Sequence, residues 1–221
     1  MKILVATEKP FARLAIEQIK AVVSEAGFEF ALLENYKSPE ELLAAVSDAD
    51  ALIVRSDLVT PEVIAEAPKL KIVVRAGAGY DNLDLPALSA RGIVAMNTPG
   101  QNANAVAELV FAMLLFMIRG AFGGKTGTEL RGKTIGIHAF GNVGRNVAEI
   151  SKGFGMEVKA FDPFVSPDAI TSAGVKVCPG VKELYSSCQY VSLHMPANSQ
   201  TIKSVGYDLM MSMPPEQLRG V

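Results

Sequence analysis

The sequence predicts an α/β protein made of two doubly wound, parallel-sheet units. Three observations carry that reading. Short β-branched runs alternate with helical patterns from one end of the 221 residues to the other. The runs are apolar without clean alternation, as strands buried on both faces are. Two glycine-rich turns, Arg75–Asn82 and Ala139–Gly144, follow such runs directly. The βαβα order implies parallel pairing with helical crossovers.

In chain order, the candidate strands of the first unit are Lys2–Thr7, Phe28–Leu33, Ala49–Arg55, Lys71–Ala76 and Ile93–Asn97. Between them, Phe11–Ala26 places Leu14, Ile16, Ile19 and Val22 at helical spacing, and Glu40–Val46 reads as a second helix. Residues 1–97 form the first unit. Asn102–Arg119 reads as one long helix, almost wholly apolar after Glu108, joining it to a second unit over residues 98–221. Gly120–Gly127 makes a flexible break. The second set of strands is Thr134–Phe140, Glu157–Phe161, Val175–Cys178 and Tyr190–His194.

Composition narrows the function. The chain is 49% apolar and 20% charged, which supports a sizeable core and excludes general disorder. Twenty-one Lys and Arg against 23 Asp and Glu give a net charge of −2, unsuited to a phosphate backbone or an acidic membrane surface. Neither a nucleic-acid nor a membrane partner is expected. The apolar start is broken by Glu8, Lys9 and Pro10, too early for a signal sequence. Leu109–Ile118, the longest apolar stretch, is about half of what a bilayer span needs. Cys178 and Cys188 fit no metal-binding spacing and point to a reducing, cytoplasmic setting, with neither a disulfide nor a metal site.

The strongest chemical signal is the run Thr134–Ala148. A strand enters a tight turn at Ala139, and a helix begins at Asn142 or Val143. The spacing is that of the dinucleotide fingerprint G-x-G-x-x-G, with alanine in the first position. Gly141 admits a pyrophosphate close to the backbone, Gly144 lets the helix pack on the strand, and the helix N-terminus holds negative charge. Alanine at 139 is compatible with this if its φ stays negative. Asp162, ending the next strand, stands where an acidic side chain meets ribose hydroxyls. Pro163 and Phe164 follow it in place of a cation, favouring NAD over NADP. Arg145 is placed to flank the phosphates. The alternative is a tight turn with no ligand.

The second turn, Arg75 to Asn82, presents the amides of Gly77, Ala78 and Gly79 beside Arg75, an arrangement suited to a carboxylate or phosphate. Arg55 ends the preceding strand and is placed at the same carboxyl edge. For each arginine the alternative is a strand cap paired with a surface carboxylate, and for Arg55 the two readings stay open.

Together these residues resemble the D-isomer-specific 2-hydroxyacid dehydrogenase family. The resemblance rests on Val54-Arg55-Ser56, Val74–Gly77 with Asp81–Asp84, Met96–Pro99, Val106–Leu109, Gly127–Thr134, the glycine turn with Asp162, and Leu193–Pro196. It covers about residues 1–213 in register. It implies a flavodoxin-like substrate domain followed by a Rossmann NAD domain. Arg55, Arg75, Gly77, Ala78 and Gly79 would then address the substrate, with Ala78 also near the nicotinamide. Ala139, Gly141, Asn142, Val143, Gly144, Asp162, His194, Met195 and Pro196 would contact NAD. The branch resembled most oxidises 3-phosphoglycerate to 3-phosphohydroxypyruvate at the start of serine synthesis. Relatives acting on glyoxylate, lactate or hydroxypyruvate share much of the frame. The long helix tends to join subunits in the family, implying a homodimer.

Two departures shape the expectation. The link from Arg119 to Gly127 is shorter than in many members. The match fails at Pro214–Val221, where members continue toward a catalytic Arg, Glu and His, so both units are expected to be incomplete at the C-terminus and the chain to lack turnover. Of its two histidines, His138 reads as a packed core residue, and His194 matches a cofactor-side loop. Arg219 follows Met213 too closely to serve as the catalytic arginine, so no catalytic residue is assigned. A non-catalytic NAD-sensing protein and an inert fragment are the alternatives from other classes.

Overall fold

The computed structural model describes residues 1–124 and 126–213. Contacts divide the chain into two units, Met1–Gln101 and a second beginning at Asn102. The sequence places that boundary slightly earlier, after Asn97. Arg219 and the segment 214–221 lie outside the described residues.

The first unit runs β1 (Lys2–Thr7), α1 (Arg13–Glu25), β2 (Glu29–Glu34), α2 (Pro39–Val46), β3 (Ala51–Val54), α3 (Pro61–Ala65), β4 (Ile72–Arg75), α4 (Leu85–Ala90) and β5 (Val94–Asn97). Its strands are all parallel, in the order β2-β1-β3-β4-β5, the flavodoxin-like arrangement. The helices start where the sequence supplies a cap and a proline. Ser38 and Glu41 form a capping box ahead of Pro39, the Thr60 hydroxyl accepts from Val63 N at 3.4 Å, and Asp84 accepts from Ala87 N at 2.9 Å.

One face of this sheet is fully packed: Leu4, Ala6, Leu52, Val54 and Val73 meet Leu42, Val46, Val63, Ile64 and Leu88. The other face holds a smaller cluster around Ile3, Val23 and Ala51. Strand β5 departs from the expected burial on both sides, with Val94 54% and Met96 51% exposed. Helix α1 packs against β2, at the opposite edge of the sheet.

The second unit runs α5 (Ala103–Ile118), β6 (Thr134–His138), α6 (Asn142–Gly153), β7 (Glu157–Phe161), α7 (Pro167–Ser172), β8 (Lys176–Val177), α8 (Val181–Ser186), β9 (Tyr190–Leu193) and α9 (Tyr207–Met210). Its four parallel strands lie in the order β8-β7-β6-β9, which corresponds to the first four strands, 3-2-1-4, of the Rossmann arrangement. Ile135, Ile137, Val158 and Ala160 pack with Val147, Ala148 and Phe111 on one face, and Leu184, Tyr185, Cys188 and Val191 cluster separately. Both cysteines are buried free thiols. Helix α5 buries Ala103, Ala107 and Phe111, and Phe111 stacks on Phe154 at 5.0 Å. Its opposite face, with Leu109, Met113, Phe116 and Met117, is exposed. No helix among the described residues is long and apolar enough to cross a membrane.

Candidate functional site

In the second unit, strand order reverses between β6 and β9, which is where open α/β sheets leave a crevice at their carboxyl ends. The turn leaving β6 fills that position. Ala139 adopts φ +81°, correcting the expectation that its φ stays negative. In the tight passage from strand to helix observed here, the first position of the turn is left-handed. For alanine that conformation costs about 1 kcal/mol or more. Neighbouring bonds offset the cost: Ala139 N donates to Phe161 O at 2.9 Å, and Phe140 N donates to Asp162 Oδ2 at 2.7 Å.

The two later glycines do different work. A Cβ on Gly144 would overlap the Ala139 carbonyl oxygen and stand 3.0 Å from Ile137 Cγ2, so this glycine is what lets α6 approach β6. A Cβ on Gly141 would meet nothing within 4 Å. With φ −79° it is not needed for the backbone path either, and the space beside it is open. Gly141 is the N-cap of α6 and has no side-chain cap; the first helical bond is Arg145 N to Gly141 O at 3.0 Å. Among the described residues, the amides of Asn142, Val143 and Gly144 have no protein acceptor, as expected at a helix start. The Arg145 guanidinium lies 5.0 Å over the Phe140 ring.

Asp162 is turned toward the glycine turn. Its Oδ2 holds Phe140 N, and its Oδ1 accepts from Phe164 N at 2.8 Å. Each oxygen keeps a second lone pair for another donor. Across the sheet, His194 N extends the ladder to His138 O at 2.9 Å, placing the His194–Pro196 segment at the same carboxyl edge. The His194 Nε2 lies 2.9 Å from Ser192 Oγ, and burial pulls its pKa down to about 4, so the ring is neutral at physiological pH. Met195 is half-buried and Pro196 exposed. His138 is a core residue as the sequence indicates, 9% exposed and 3.4 Å from the Tyr185 hydroxyl through Nδ1. Burial lowers its pKa, against the pull of the Asp162 charge.

In the first unit, Arg55 and Arg75 leave the carboxyl ends of the adjacent strands β3 and β4. Arg55 is exposed, with Nη1 3.4 Å from Pro10 O. Arg75 folds back over Gly77 so closely that a Cβ there would overlap its Nη1, and its buried Nε has no partner among the described residues. The turn corrects one expectation. Gly77 N points inward to Arg75 O at 2.8 Å, closing a tight local ring, and so is not a free donor. The Ala78 and Gly79 amides have no protein acceptor among the described residues. The turn is tied from β5: Asn97 Nδ2 donates to Ala78 O at 2.7 Å and Thr98 N to Gly77 O at 2.9 Å.

Two further residues position this edge: Asn97, which the sequence offers only within the Met96–Pro99 motif, and Asp57, which it does not single out. Asp57 is 7% exposed, and its carboxylate accepts from Glu8 N at 2.6 Å, the Tyr36 hydroxyl at 2.6 Å and Arg55 N at 3.3 Å. Asn82 Nδ2 bonds its carbonyl at 2.7 Å. It thereby joins the loops that follow β1, β2 and β3. Burial, then the Asp57 bond, pushes the Tyr36 hydroxyl pKa up. The available signal is an acid two residues past a strand-ending arginine. Among the described residues no three His, Cys, Asp or Glu side chains gather as a metal site.

Comparisons with known proteins agree with this geometry. Residues 5–202 match the family described as D-isomer specific 2-hydroxyacid dehydrogenase, catalytic domain. The D-3-phosphoglycerate dehydrogenase of Rattus norvegicus is 38% identical over 191 residues, covering 80% of this chain and 36% of that protein. That of Methanocaldococcus jannaschii is 35% identical over 188 residues, with 79% and 36% covered. The chain thus spans just over a third of the length of these curated relatives. The NAD+-bound 3-phosphoglycerate dehydrogenase structure from Entamoeba histolytica superposes with a TM-score of 0.90 at 44% identity, covering 97% of this chain and 68% of that one. The apo D-lactate dehydrogenase of Escherichia coli gives 0.79 at 25% identity, with 96% and 71% covered. Sequence, sheet order and relatives converge: the chain belongs to the D-isomer-specific 2-hydroxyacid dehydrogenase family.

Proposed function

We propose that this chain binds NAD in its second unit, and that the protein oxidises 3-phosphoglycerate to 3-phosphohydroxypyruvate. The observation that carries the cofactor reading is the start of α6. Among the described residues, three consecutive amides at the opening of α6 have no protein acceptor, a Cβ on the adjoining Gly141 would meet nothing within 4 Å, and Asp162, 22 residues beyond Phe140, is fastened to the same turn. These residues fit a dinucleotide. The amides of Asn142, Val143 and Gly144, with the positive end of α6, would hold a pyrophosphate. The free lone pairs of Asp162 would accept from ribose hydroxyls, and its charge would repel a 2′-phosphate. The neutral His194, with Met195 and Pro196, would border the other side of the crevice. The relative with 44% identity is described as NAD+-bound, which supports the assignment.

When bound, NAD supplies a hydride acceptor for C2 of a 2-hydroxy acid. The first unit's part is to hold the acid. Arg55 and Arg75 offer charge-assisted donors to a carboxylate and a phosphate, and the Ala78 and Gly79 amides add neutral donors at the same edge. The buried Nε of Arg75, without a partner among the described residues, supports an anion there. Neither histidine is offered as a base: His138 is packed in the core and His194 is engaged with Ser192. The 221-residue chain is therefore expected to bind without turnover. The exposed apolar face of α5 fits the homodimer that the family resemblance implies.

Calorimetric titration with NADH and NADPH tests the cofactor reading. Saturable NADH binding, with NADPH at least tenfold weaker, is the expected result; equal affinities would remove Asp162 from the ribose site. A steady-state assay with 3-phosphoglycerate and NAD tests the rest. Turnover above background would show that these 221 residues include a proton acceptor other than the two histidines.

A further inference from the structure

At the entrance to the cradle, Ala139 holds a left-handed φ of +81°, a conformation that glycine adopts freely and alanine resists. Nothing in the covalent chain enforces it. The next amide, Phe140 N, is held by Asp162 Oδ2 at 2.7 Å, and the other oxygen of the same carboxylate holds Phe164 N at 2.8 Å. A carboxylate is the one side chain of this length that accepts from two separate amides through two separate oxygens.

We propose that Asp162 is a positioning residue as well as a ribose acceptor: its carboxylate latches the Phe140 amide and so keeps the left-handed Ala139 turn set before the dinucleotide arrives. The proposal rests on the NAD reading for its consequence, though not for its geometry. The turn has two arrangements. In the one observed, Ala139 is left-handed and the amides of Asn142–Gly144 have no acceptor among the described residues; in the other, which the proposal requires, φ relaxes to negative values and the approach to α6 changes. A ligand that binds only the first has its apparent affinity reduced by the fraction of chains in that state. The latch raises that fraction, and the alanine methyl lowers it. The fingerprint's usual first glycine would make the latch less necessary. Alanine at 139 makes it matter.

The test compares four proteins: the natural sequence, Asp162→Ala, Ala139→Gly and the double variant. Without ligand, Asp162→Ala should speed hydrogen exchange of the Phe140 amide by about tenfold or more, the loss of one charge-assisted bond. It should also lower the melting temperature, and adding Ala139→Gly should recover part of that loss. A role confined to the ribose leaves both readouts unmoved and overturns the proposal. With NADH, Asp162→Ala weakens binding in either background through the lost ribose contact. The latch predicts that the loss is about fivefold smaller in the Ala139→Gly background, since relieving the strain partly replaces the latch. Equal losses in both backgrounds, even with a lowered melting temperature, would mean that Asp162 supports the fold without setting the cradle. Should the natural sequence fail to bind NADH, the cofactor reading fails, and the ligand-free exchange and melting comparison still decides whether the latch exists. If Asp162→Ala does not fold, Asp162→Asn serves instead, because its single acceptor oxygen can satisfy only one of the two amides.

Discussion

Replacing each of three glycines around α6 by alanine should separate stability from binding. A Cβ on Gly144 meets a backbone carbonyl, that of Ala139, which cannot swing aside, and Ile137 Cγ2 at 3.0 Å. Overpacking of this kind costs about 3 kcal/mol, and the better helix propensity of alanine returns about 1, leaving a net loss of about 2 kcal/mol. A Cβ on Gly153, the last residue of α6, would meet nothing within 4 Å, so Gly153→Ala should be neutral or gain up to about 1 kcal/mol. Gly141 also has open space, and its φ of −79° suits alanine; the N-cap preference limits the loss to under about 1 kcal/mol. Yet the Gly141 methyl would occupy the room assigned to the pyrophosphate. Urea unfolding should rank Gly144→Ala as the least stable. NADH titration should show Gly141→Ala at least 100-fold weaker, with Gly153→Ala unchanged. A Gly141→Ala protein that binds NADH within threefold of the natural sequence would show that no phosphate lies against that position.

Other consequences follow from single contacts. Arg75→Gln should weaken 3-phosphoglycerate binding about tenfold or more by calorimetry while leaving NADH affinity within twofold, because the two belong to different units. Tyr36→Phe removes a 2.6 Å bond to a buried carboxylate and should cost about 2 kcal/mol in urea unfolding; a change below about 0.5 would mean that Asp57 does not organise the strand-end loops. His194 has a folded pKa of about 4, below its unfolded value near 6.5, so the unfolded chain binds the extra proton first. Stability is full above about pH 6.5 and falls as pH drops toward 4, by up to about 3 kcal/mol less the screening its partial exposure provides. Unfolding measured at pH 7 and pH 4.5 should show this loss, and His194→Gln should reduce it.

Much of the architecture is legible in the sequence because both signals involved are local. Apolar runs bounded by turn residues locate every strand, with β7 at Glu157–Phe161 found to the residue. Other runs are trimmed, as where Ala49–Arg55 becomes Ala51–Val54, because side-chain pattern continues for a residue or two after the backbone leaves the ladder. The exposure of Val94 and Met96 is not legible, since an apolar run looks the same whether or not a helix covers its second face. In the glycine turn, spacing alone locates Gly141, Gly144 and Asp162. The sign of φ at Ala139 escapes the sequence because it depends on the angle between β6 and α6, which no residue states by itself. The inward Gly77 amide escapes it for a similar reason. A row of amides in sequence becomes a row of free donors only if the chain does not curl back on its own carbonyls. Asp57 is inconspicuous in the sequence because its partners Glu8 and Tyr36 come from loops that meet only once β1, β2 and β3 are side by side.

Whether the opening of α6, beside Gly141, receives a pyrophosphate is decided by nuclear magnetic resonance of 15N-labelled protein titrated with NADH. Saturable shifts should be largest at the amides of Phe140, Gly141, Asn142, Val143 and Gly144, with a smaller group around Asp162 and His194. Shifts absent at millimolar NADH, or saturable ones that leave Asn142–Gly144 untouched, would mean that the diphosphate does not sit on this helix.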